Sequence, residues 1–142
     1  AGTFNNNVTS MAAGYAGLSE VFTAAAAETL FARGERLRGR LNEAAVAADV
    51  PVRATGLGSM IGIHPTDRPI ATAEDAPEAK EARALIHLAL IARGIYMARR
   101  GFMTLSLPQT PEDDDALVAA FADVLRTHAR VLRDHAAART DA

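Results

Sequence analysis

The chain has 142 residues, enough for one domain with a modest core. Its hydrophobic share of 49%, charged share of 23% and net charge of −2 give no reason to expect a nucleic-acid partner or an anionic membrane surface. Cysteine is absent, which excludes disulfides, thiolate nucleophiles and cysteine-ligated metals. No apolar run approaches bilayer-spanning length, and no basic-then-apolar leader is visible, so the expectation is a cytoplasmic protein.

Gly2–Asn7 reads as a polar turn, because three successive Asn favour local side-chain-to-backbone hydrogen bonds. A small-residue helix is predicted from about Val8 to Val21, with Met11, Ala12, Tyr15, Ala16 and Leu18 as its buried stripe. Thr23 is the N-cap of a second helix to about Ala48, whose Leu30, Gly34, Leu37, Leu41, Ala44 and Ala48 recur at helical spacing. Asp49 marks its end and Pro51 stops it. Val52–Thr55, a Gly56-Leu57-Gly58 turn and Ser59–His64 read as a strand pair. Pro65–Pro77 is a surface loop.

A third helix is predicted over about Glu78–Arg93, with Ala82, Leu85, Ile86 and Ala89 inward and Gly94 as its stop. Ile95–Ala98 and Phe102–Leu107 read as short strands around Arg99-Arg100-Gly101. Thr110-Pro111-Glu112-Asp113 is a strong helix start, with Thr as cap, Pro in the first turn and acids against the positive helix end. One last helix then runs to about Ala138, turning Leu117, Phe121, Val124, His128, Val131 and Leu132 inward. Helices interleaved with a small, largely antiparallel sheet give an α+β layer packing.

Few residues here carry chemistry on their own. Arg99 and Arg100 either recognise a carboxylate through the guanidinium fork or form a solvated hairpin end. His64, His87, His128 and His135 lack zinc-type spacing, and Glu112–Asp115 is explained by the helix dipole, so no metal is expected. Lys80 is the sole lysine; it opens an amphipathic helix and reads as a solvated ion pair.

The segment Gly2-Thr3-Phe4-Asn5-Asn6-Asn7 with Met11-Ala12-Ala13-Gly14 resembles a segment of the class III (fold-type I) pyridoxal-phosphate aminotransferases, in particular the glutamate-1-semialdehyde aminomutase group. Gly34–Arg38, Thr55–Gly62, Gly94–Ala98 and Leu105–Asp113 are similar to later family segments in the same order. Val8-Thr9 departs from the pattern, where Pro-Leu is usual.

The resemblance implies the C-terminal part of a homodimeric enzyme that transfers an amino group between an amino acid or amine and a carbonyl compound. Residues 1–50 would end the large domain and form a connecting helix, and 51–142 would form the small C-terminal domain. Gly2 and Thr3 match the pair that reaches the cofactor phosphate of the neighbouring subunit. A hydroxyl and backbone N–H groups before a helix suit that anion. Asn5, Asn6 and Asn7 either line that approach or shape the turn. Pyridoxal phosphate also requires a lysine that holds it covalently, an acid at the ring nitrogen and a stacking aromatic. The resemblance puts these in the preceding large domain, so the chain alone is expected to be inactive, with no catalytic residue of its own. A non-catalytic dimerisation module on this fold is the rival expectation.

Overall fold

Asn7 begins the first helix by accepting a hydrogen bond from the Ser10 N–H at 3.1 Å. This is seen in a computed structural model of the chain, which describes residues 7–138. Helix α1 (Val8–Ala16) continues into a wider π-helical turn over Gly17–Val21. The expected inward stripe is not covered by the described residues. Met11, Tyr15 and Leu18 are 60%, 74% and 71% exposed, and no residue of α1 is buried. Apolar spacing marks the helix, but burial needs a partner surface that spacing alone does not supply.

Thr23 caps α2 (Ala24–Ala47), its hydroxyl accepting from the Ala26 N–H at 3.2 Å. Leu30, Gly34, Leu37, Leu41 and Ala45 are the buried positions of α2. The helix ends with Asp49 in the left-handed region at φ 51°, the Val50 N–H closing on the Ala45 carbonyl at 3.2 Å. Strands β1 (Arg53–Leu57) and β2 (Met60–His64) form a two-residue hairpin through Gly58 at φ 54° and Ser59. Strand β3 (Phe102–Thr104) completes an antiparallel sheet of order β1-β2-β3. Asn42 of α2 occupies the free edge of β1, accepting from the Ala54 N–H at 2.8 Å and donating to the Ala54 carbonyl at 3.0 Å.

One sheet face, with Ala54, Ile61 and Ile63, packs into the helical layer. There α2, α3 (Lys80–Ile91) and α4 (Pro111–Thr127) enclose Leu41, Ile86, Leu90, Phe121, Val124 and Leu125. Burying each such side chain is worth about 1.5–3 kcal/mol relative to exposure. Gly34 lets α2 approach the hairpin: a methyl group there would overlap the Gly58 carbonyl.

Several expected elements are corrected. Ile95–Ala98 is not a strand. Met97 is buried, its carbonyl meets the His87 Nδ1 at 2.6 Å, and the segment serves α3 instead of a ladder. The second expected strand stops at Thr104, short of Leu107. The long final helix breaks at His128, at φ −108°, and α5 (Ala129–Ala138) follows. Leu132 is buried and Val131, expected to face inward with it, is exposed. The loop after β2 contains a single 3-10 turn, Ala73–Asp75, capped by Thr72.

Candidate functional site

The outer sheet face lies away from the helices. It carries Thr55, Met60, Gly62, His64, Phe102 and Thr104. Thr55 Oγ1 and His64 Nε2 lie 3.0 Å apart. His64 is half-buried, its Nδ1 finds no partner, and burial first, with the Arg83 charge second, pushes its pKa below the ordinary value.

Beside this face, Arg99 and Arg100 project from a tight turn. The turn is held by three backbone hydrogen bonds: Ala98 N–H to Phe102 at 3.0 Å, Gly101 N–H to Ala98 at 2.8 Å, and Ile63 N–H to Gly101 at 2.7 Å. Gly101 at φ 85° allows it, since a Cβ there would overlap the Ile63 carbonyl. Arg99 and Arg100 are exposed, and the residues that flank them in the chain, Tyr96, Ala98, Phe102, Met103 and Thr104, line a hollow of about 230 Å³. Tyr96 stands edge-on to the His87 ring, with centroids 6.3 Å apart. Two cations beside an apolar, aromatic-rimmed hollow suit a ligand with a carboxylate and a hydrocarbon part.

The other sequence candidates are dispersed. Gly2, Thr3, Asn5 and Asn6 lie outside the described residues. Asn7 is an exposed helix cap. Lys80 is exposed and pairs with Glu78 at 3.2 Å, so the described residues offer no sheltered amine to hold a pyridoxal cofactor covalently. The acidic run after Thr110 is divided among structural partners: Asp113 in a capping box, Asp114 on Arg33 and Asp115 on Arg40. Among the described residues no cluster of His or acidic side chains is arranged for a metal, and no helix is long and apolar enough to cross a membrane. Arg83, which touches the arginine turn, was not singled out by the sequence. Its partners are backbone carbonyls, which leave no trace in side-chain spacing.

No family model matches the chain. It is 43% identical over 132 residues to a β-phenylalanine transaminase of Variovorax paradoxus, covering 92% of this chain and 30% of that protein. It is 36% identical over 131 residues to a glutamate-1-semialdehyde 2,1-aminomutase of Desulfosudis oleivorans, covering 31% of it. The crystal structure of the β-phenylalanine aminotransferase from Variovorax paradoxus superimposes with a TM-score of 0.86. That of an omega-transaminase from Sphaerobacter thermophilus, 32% identical, does so at 0.75 over 89% of this chain. The chain thus spans about 30% of the length of the relatives it matches.

Proposed function

We infer that the chain, which belongs to the class III aminotransferase family as its C-terminal segment, helps to build an enzyme that moves an amino group between a carboxylate-bearing amino acid and a carbonyl compound. The observation that carries this reading is the 43% identity and shared fold with a β-phenylalanine transaminase over 92% of the chain. Pyridoxal phosphate supplies the electron sink for such chemistry. This chain contributes binding and orientation.

Thr3 and Gly2 hold the cofactor phosphate of the neighbouring subunit in a homodimer, through a hydroxyl and backbone N–H groups. The Arg99-Arg100 turn receives the substrate carboxylate, and the hollow at Tyr96 and Phe102 takes its hydrocarbon part. Lys80 takes no part. The exposed apolar residues of α1 and its π-helical turn pack against the large domain. Helix α2 shares one core with the sheet, so we place the boundary of the small domain near Phe22-Thr23 rather than at residue 50.

The test is to express the longer polypeptide that carries this segment, load it with pyridoxal phosphate and remove the excess. Retained cofactor absorbance and amino transfer from a β-amino acid to an oxo acid are expected. A product that is dimeric but keeps no cofactor would favour the dimerisation-module reading.

A further inference from the structure

We propose that Arg83 is a positioning residue that sets the Arg99-Arg100 turn and thereby the carboxylate specificity of the site. The inference rests on the reading of that turn given above. Arg83 lies at the end of the first turn of α3, half-buried. Its Nη2 donates to the Pro77 carbonyl at 2.6 Å, its Nη1 reaches the Arg100 carbonyl at 3.4 Å, and its Nε reaches the Ala79 carbonyl at 3.5 Å. One guanidinium therefore ties the entry of α3, the loop before it and the arginine turn.

The aliphatic stem completes the clamp. A Cβ at Gly101 would meet Arg83 Cδ at 3.4 Å, so the stem lies against the turn from the helix side. On the sheet side the Gly101 carbonyl accepts from Ile63. The turn is held between these two anchors, and Arg83 is the side chain that meets the Arg100 carbonyl. A lysine amine has no planar fork to span the Pro77 and Arg100 carbonyls together. The guanidinium engages three backbone carbonyls. Burial first, and the Arg83 charge second, lower the pKa of His64 on the sheet face.

A turn anchored on one side only would still fold, but its two guanidinia would sample more orientations. The loss should fall on substrates that carry a carboxylate. The experiment compares Arg83→Met and Arg83→Lys with the double substitution Arg99→Ala, Arg100→Ala in the full-length enzyme. Each is assayed with 3-amino-3-phenylpropanoate and with 1-phenylethylamine, which lacks the carboxylate. Arg83→Met should raise KM for the acid by about three- to tenfold, the worth of one hydrogen bond, with KM for the amine little changed. Arg83→Lys should recover part of the loss.

In parallel, tryptic cleavage after Arg99 and Arg100 should accelerate in Arg83→Met, a readout independent of catalysis. Equal losses on both substrates in both Arg83 variants, or no loss and no change in cleavage, would overturn the proposal. If the double substitution leaves the preference for the acid intact, the turn itself does not read the carboxylate, and both ideas fall. If the double substitution abolishes the preference and Arg83→Met does not alter it, only the role of Arg83 is refuted.

Discussion

Asp114 and Asp115 are neighbours at the start of α4, and each pairs with an arginine of α2, yet their removal should have very different costs. Asp114 takes the Arg33 fork from two directions, Nε at 2.6 Å and Nη2 at 2.8 Å. The side chains are only 14% and 10% exposed. Arg33 also donates to the carbonyls of Gln109 and Thr110, so it holds the entry of α4 while Asp114 balances its charge. The hydrogen bond to Asp114 raises the Arg33 pKa against the opposing effect of burial. Asp115 meets Arg40 at 2.7 Å, but those side chains are 41% and 67% exposed. Breaking a buried pair leaves an uncompensated charge, at about 3–5 kcal/mol. Because two carbonyls still serve Arg33, we set Asp114→Asn at the lower end, about 3 kcal/mol. For a chain of this length that lowers Tm by about 10 °C. Asp115→Asn should cost less than about 0.5 kcal/mol, as exposed pairs do. Both substitutions remove one negative charge near the same helix end, so the dipole and net-charge effects largely cancel in the comparison. Urea denaturation of the two variants at neutral pH measures the difference. Equal losses would refute burial as the deciding factor. Replacing both partners, Arg33→Met with Asp114→Leu, should recover most of what Asp114→Asn loses.

Gly34→Ala should destabilise by about 2–3 kcal/mol through overlap with the Gly58 carbonyl. Gly39→Ala on the same helix, with open space around it, should stabilise by about 0.5–1 kcal/mol; opposite signs in thermal melts are the check. His64 resists protonation in the fold, so the unfolded chain binds the extra proton first and stability falls as pH drops below the ordinary histidine value of 6.5. His64→Gln should flatten that fall. Asp123, held low chiefly by its hydrogen bond with Arg93, loses its contribution only in the acid range below the ordinary 3.8, so the two windows separate in a pH series of melts.

Local signals in the sequence carried much of the fold. Thr23 and Thr110 cap the helices they were expected to cap, and Gly94 at φ 77° closes α3, with the Ile95 N–H returning to Leu90 at 3.0 Å. What was not legible depends on partners distant in the chain. Asp114 reads as one more acid in a helix start, and its role comes from Arg33, 81 residues earlier. Ile95–Ala98 has the composition of a strand, but the His87 side chain takes its carbonyl and no ladder forms. The break at His128 has no glycine or proline to announce it. At the site, the exposed arginine pair was visible, but the Gly101 and Arg83 anchors that fix it were not, because both act on backbone groups.

Under the proposed function, this segment contributes to a pyridoxal-phosphate site from across a subunit boundary. The most direct test is Thr3→Val in the full-length protein, with cofactor affinity measured by titration and folding checked by thermal melts. Loss of one hydrogen bond to a charged phosphate should weaken binding by about 10- to 100-fold while the unliganded fold is unchanged. An unchanged affinity, or a full-length protein that never binds the cofactor, would contradict the account.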